Sequence, residues 1–108
     1  MMSREREPNP GPHSEEPAPP LIPIATTAFK RDMKRLAARG KDLSKLSIVV
    51  ELLYSRQTLP PRCRDHPLTG DWRGYRDCHI EPDWVLIYQL DERDLRLMRT
   101  GSHSDLDL

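Results

Sequence analysis

A chain of 108 residues, 36% hydrophobic and 31% charged, with 17 basic against 17 acidic side chains, has room for one domain around a modest core. No run of about 18 apolar residues is present to cross a bilayer, and the charged N-terminus lacks the apolar stretch of a secretory signal, so the expected setting is the cytoplasm. Cys63 and Cys78 stand at no metal-ligand spacing and read as reduced thiols rather than a disulfide.

The charge is unevenly spread. Residues 1–25 hold two arginines and four glutamates, residues 101–108 hold two aspartates, and the stretch between holds 15 Lys/Arg against 11 Asp/Glu. A basic body suits a polyanionic partner, because neutralised phosphates release counterions. An excess of this size is also common on ordinary surfaces.

Residues 1–20, MMSREREPNPGPHSEEPAPP, are rich in Pro, Glu, Ser and Arg and nearly free of apolar side chains. Such a segment cannot offset its ordering entropy by burial, so a disordered tail is expected there, with no role for His13. The folded domain is expected over 21–108. Leu21 to Ala25 reads as a short strand, which Pro23 confines to a sheet edge. Thr26 or Thr27 can cap a helix whose apolar positions are Phe29, Met33, Leu36 and Ala37, with Gly40 as its stop. Asp42 can cap a second helix with Leu46, Val49, Val50 and Leu53 along one face. Two helices split by so short a break predict an antiparallel hairpin.

Thr58-Leu59-Pro60-Pro61 ends the second helix, and residues 62–74 read as a loop anchored by Leu68 and Trp72. Three strand-like runs follow: Tyr75 to Ile80, Trp84 to Leu90 and Leu95 to Thr100. The middle one is the most apolar and is expected at the sheet centre. Glu81-Pro82-Asp83 joins the first pair tightly. The expected fold is α+β in the order β-α-α-β-β-β, an antiparallel meander packed on an N-terminal helical hairpin.

Three histidines fall in this second half. His66 lies in the loop, His79 ends the first meander strand, and His103 follows the last strand. Alternation puts Tyr75, Asp77 and His79 on one strand face and Arg76, Cys78 and Ile80 on the other. Histidine gives and takes a proton near neutral pH, and a carboxylate such as Asp83 can fix its tautomer. These are suitable parts for RNA cleavage by attack of the ribose 2′-hydroxyl, which needs a base, an acid and cations for the phosphorane charge. Arg73, Arg76 and Arg99 are the candidate cations, with solvated surface charge as the alternative. For Trp84 the alternatives are core packing and stacking on an RNA base.

Residues 65–106 carry a longer pattern: DHPL, then GDWRGYRDCHIEPDWVLIY, then RTGSH. In motif and spacing this resembles the YafQ branch of the RelE/ParE toxin superfamily, and with the two preceding helices the likeness covers the chain beyond its tail. The resemblance implies a microbial-RNase-like sheet with a helical hairpin. It implies a type II toxin–antitoxin toxin that cleaves mRNA in the ribosomal A site without a metal or other cofactor, silenced by a cognate antitoxin. Residue by residue, His66, His79, Asp83 and His103 match catalytic positions, and Trp84 matches the tryptophan counted with them. One position departs: Asp107 stands where the branch has a phenylalanine that contributes to activity. The competing functions on the same scaffold are a ParE-like inhibitor of DNA gyrase, which needs no histidine chemistry, and a decayed toxin that only binds its antitoxin and promoter.

Overall fold

The computed structural model describes residues 18–108, so the expected disordered tail lies, up to residue 17, outside the described residues. The chain runs β1 (Ile22–Ala25), α1 (Thr27–Ala38), α2 (Leu43–Tyr54), β2 (His66–Pro67), β3 (Arg76–Glu81), β4 (Trp84–Leu90) and β5 (Asp94–Gly101), with single 3₁₀ turns at Pro61–Cys63 and Gly70–Trp72. The sheet order is β1-β5-β4-β3-β2.

The helical hairpin forms as its sequence predicts. Thr26 caps α1, its side chain accepting from the Phe29 N–H, and Asp42 caps α2 by accepting from Ser44. Gly40 takes φ 82° just past α1, a left-handed turn that costs a side-chain-free residue little. Phe29 and Leu36 from α1 and Leu46, Val49 and Leu53 from α2 close over Cys78, Trp84, Leu86, Tyr88, Leu95 and Leu97 of the sheet. Each such aliphatic side chain contributes roughly 1.5–3 kcal/mol on full burial. The other sheet face is not bare: Val85 and Ile87 are covered by Leu68, Trp72, Tyr75, Met98 and Leu106. Both cysteines are buried and free. Among the described residues no helix is long and apolar enough to cross a membrane.

Two features correct the sequence reading. The sheet is mixed rather than antiparallel throughout, because β1 pairs with β5 in parallel, Ile22 beside Asp94 and Ala25 beside Leu97. The loop before β3 contains a fifth strand, β2, whose two residues are too few to display an alternation. As expected, β4 is central and β1, with Pro23, lies at an edge. Beyond Leu97 the edge of β5 has no strand beside it. There the buried Asp32 carboxylate of α1 accepts the Thr100 N–H at 3.1 Å and so stands in for a missing ladder partner.

Candidate active site

The sheet gathers three histidines from three separate pieces of chain around one carboxylate. β2 sets His66 beside Asp77 of β3. Two residues on, on the same strand face, His79 lies opposite Val85, and Val85 lies opposite Gly101 of β5. Gly101 leads into the turn that carries His103, whose ring meets that of His79 edge to face with centroids 5.4 Å apart. All three histidines act electrostatically on Asp77.

Each ring is tethered through its local fold. The Asp83 Oδ1 atom accepts from the His103 backbone N–H at 3.0 Å and from the ring Nδ1 at 2.6 Å. These two bonds, the backbone one foremost, hold the Asp83 carboxyl below its ordinary range, so it is an ionised acceptor. His103 therefore carries its proton on Nδ1 and keeps Nε2 for chemistry. His66 is fixed in the same sense, its Nδ1 lying 2.6 Å from the Arg64 carbonyl, which can only accept. That carbonyl is aimed by an unusual backbone: Arg64 has φ 47° and ψ 45°, left-handed for a non-glycine residue. Such a conformation costs on the order of 1 kcal/mol and survives where surroundings impose it; here they are the buried Cys63 and the His66 bond.

Asp77 is 4% exposed, and among the described residues its Oδ1 has no hydrogen-bond partner. His66 Nδ1 is only 3.2 Å away but donates to Arg64 instead. Burial pushes the Asp77 carboxyl up, and the histidines partly counter it. The turn after Gly101 is fixed from the far side as well. Asp105 accepts from the Ser102 N–H at 3.0 Å and takes a two-pronged pair from Arg39, at 2.7 and 3.1 Å, at the end of α1. The Arg39 pair, then the Ser102 bond, hold its carboxyl well below the usual range.

The candidate substrate-binding arginines and tryptophan are not gathered at the histidines, and for Trp84 the core-packing alternative is the one observed. Arg99 is committed to Asp32, its Nε at 2.6 Å and Nη2 at 3.1 Å, so it is not a free cation. Arg76 points away from His79 across β3 and pairs with Asp65 at 3.3 Å. Arg73 is exposed after the Gly70–Trp72 turn and does not line the cleft beside His79. Trp84 has no exposed surface; its Nε1 donates to Thr100 Oγ1 at 2.9 Å, and no ring face is available to stack on a base. Its place in the core fixes the strand start next to Asp83.

Two sets of residues escaped the sequence reading as site members. Asp77 is one, although alternation already put it on the His79 face. The other is Arg62 and Arg64, which with His79, Ile80, Glu81 and Pro82 line a cleft of about 470 Å³. Their signal was two arginines, one residue apart, immediately before the His66 motif. Among the described residues no group of three or more His, Cys, Asp or Glu side chains is arranged to hold a metal ion.

Comparison with known proteins agrees with this architecture. The family model described as the bacterial toxin of type II toxin–antitoxin systems, YafQ, matches residues 23–108. An Escherichia coli K12 protein named mRNA interferase toxin YafQ is 47% identical over 79 residues, covering 72% of this chain and 86% of that one. The crystal structure of YafQ from E. coli BL21(DE3) superposes with a TM-score of 0.77 at 41% identity, covering 80% of this chain and 97% of the other. The toxin in the E. coli DinJ–YafQ toxin–antitoxin complex matches with a TM-score of 0.75 at 42% identity, covering 80% and 96%. With a family match over nearly all the described residues and relatives this similar, the chain belongs to the YafQ family of bacterial type II toxin–antitoxin toxins.

Proposed function

We propose that this protein is a toxin that cuts mRNA on the ribosome in the cytoplasm, by metal-independent acid–base chemistry, and that an antitoxin holds it inactive. The observation that carries the reading is the meeting of the His79 and His103 rings, 5.4 Å apart, with His103 oriented by Asp83 and His66 beside Asp77 on the strand that carries His79. In this reaction a ribose 2′-hydroxyl loses its proton and attacks the adjacent phosphorus, and the 5′-oxygen leaves as it gains a proton. The products are a 2′,3′-cyclic phosphate and a 5′-hydroxyl. His79 and His103 share the two proton transfers, and His66 plays a supporting part: with Nδ1 bonded to the Arg64 carbonyl, it donates to a phosphate oxygen from Nε2 only as the imidazolium. Asp83 stabilises the imidazolium that forms on His103. No step in this scheme requires a metal.

The antitoxin partner follows from family membership and from the relative solved in complex with DinJ. Among the described residues β1 and β2 each have one strand neighbour, which leaves both edges for strand addition. An apolar groove lined by Phe29, Met33, Leu46, Val50 and Tyr54 could receive an amphipathic helix.

Induction of the chain in bacteria, followed by mapping of mRNA ends, tests the reading. The expected result is cleavage within translated codons; on Mg²⁺-containing ribosomes in vitro, toxin treated with a chelator and then freed of it should cut mRNA as fast as untreated toxin. His79→Ala or His103→Ala should lower the rate about 10²–10⁴-fold, the usual worth of a positioned acid or base, with the fold unchanged. DNA damage with intact mRNA would instead identify a gyrase inhibitor. Absence of any growth defect would identify a chain that only binds its antitoxin.

A further inference from the structure

The acid–base groups described above leave the negative phosphates of a substrate without a cation. Arg76 and Arg99 are spent on Asp65 and Asp32. The cleft beside His79 supplies what is missing. Arg62 and Arg64 line it, both are exposed, and neither forms an ion pair among the described residues. The acidic groups nearby are already occupied. Glu81, the one carboxylate lining the cleft, is held by Lys41 and Lys45, each at 2.9 Å. Asp65, between Arg64 and His66 in the chain, receives Arg76 and the Tyr88 hydroxyl. Among the described residues the cleft therefore presents two unpaired guanidiniums and no uncompensated carboxylate. Guanidinium is the group best matched to phosphodiester oxygens. The placement of Arg64 is also not incidental: its left-handed backbone and the His66 bond to its carbonyl tie the cation's position to that of a catalytic ring.

We propose that Arg62 and Arg64 form a phosphate-binding subsite that tracks the RNA backbone next to the bond cut at His79 and His103. The inference rests on the ribonuclease reading and adds the binding surface to it. The ligand is an RNA phosphodiester, from the mRNA or from ribosomal RNA. We commit to the mRNA, because the cleft opens directly from His79.

The test is steady-state cleavage on mRNA-programmed ribosomes at several salt concentrations, with wild type, Arg62→Gln/Arg64→Gln and Arg62→Lys/Arg64→Lys. Glutamine keeps much of the stem and the Arg64 carbonyl, and a thermal melt of each variant confirms its fold. Two lost phosphate contacts should raise KM about tenfold and reduce the slope of log KM against log salt by about 1.4, at about 0.7 per single-strand contact. The lysine pair should restore the slope. A second mRNA carries neutral methylphosphonates beside the scissile bond. If the ligand is the mRNA, wild type loses there what the glutamine variant loses, and the variant loses nothing more. An equal loss by the variant on both mRNAs would move the contact to ribosomal RNA and overturn the proposal, as would an unchanged KM and slope. If wild type itself leaves mRNA intact, the ribonuclease reading falls. The subsite is then judged by binding of a 2′-O-methyl oligoribonucleotide, where an unchanged salt slope in the glutamine variant overturns it.

Discussion

At the scale of single residues, Asp77 is the most unusual group in the molecule. A buried carboxylate oxygen without a hydrogen bond costs folding free energy. Its native carboxyl lies above the ordinary value because of burial. The stability it contributes is thus fully present below the ordinary carboxylate range and is lost as pH rises through the native value. Asp77→Asn should consequently raise the melting temperature at neutral pH and leave it little changed in acid. The same substitution should slow mRNA cleavage, because the imidazolium formed during turnover loses its buried counter-charge. A variant less stable at neutral pH, or fully active, would remove Asp77 from the mechanism. Asp107 poses the opposite question. The family resemblance places an aromatic ring there, and rings stack on bases for about 1–3 kcal/mol each. The last residues fold back on His103, whose carbonyl accepts the Leu108 N–H at 2.9 Å, with Leu106 buried beneath. Asp107 thus stays on the His103 turn, exposed and with φ 59°. Asp107→Phe is expected to increase cleavage in the same end-mapping assay; a decrease would make this carboxylate part of the proton-transfer machinery.

Among the elements, the turn from Gly101 to Asp105 decides where His103 stands. A Cβ on Gly101 would lie 2.9 Å from Asp105 Oδ2 and 3.0 Å from its Cβ. Asp105 cannot easily retreat, being held by Arg39 and Ser102. Gly101→Ala should therefore shift the turn and cost about 10²-fold in cleavage, the scale of a misplacement of about 1 Å. Adding Asp105→Gly, which removes both close contacts, should restore part of the rate; no rescue, with Asp105→Gly alone still active, would show that the clash is not the cause. Because the Asp105 carboxyl is held below its ordinary value of 3.8, its stabilisation is present above that value and fades as pH falls through the lower native one. Asp105→Asn should then lower the melting temperature at neutral pH and lose that effect in strong acid. Much of this level was legible in the sequence: the two capped helices, the three meander strands, and Asp77 with His79 on one face. The parallel partner of β1 was not, since an apolar edge strand with a proline does not specify which strand it joins. Nor was β2, whose two residues show no period, or the burial of Asp32, which depends on an edge of β5 left open in three dimensions. Arg62 and Arg64 looked like loop charges because the cleft that they line exists only after the 3₁₀ turn at Pro61–Cys63 and the strands have folded together.

At the largest scale, the two sheet edges that have no second strand among the described residues and the apolar groove between the helices predict strong dependence on a partner. Co-expression with the neighbouring antitoxin reading frame should yield a complex. A partner present at 100 times its Kd would add about 2.7 kcal/mol of apparent stability, readable as a concentration-dependent melting temperature. A toxin recovered alone, with a melt indifferent to the antitoxin, would contradict this. The parallel contact between β1 and β5 has a further consequence in time. Ile22 is made early and its ladder neighbour Asp94 some 72 residues later, an interval on the order of several seconds at ordinary rates of synthesis. Arg99, which ties α1 to β5, and His103 come later still. With His103 in its proposed role, a ribosome making this protein must pass that residue before the new copy can cut anything, including the message from which it is being read.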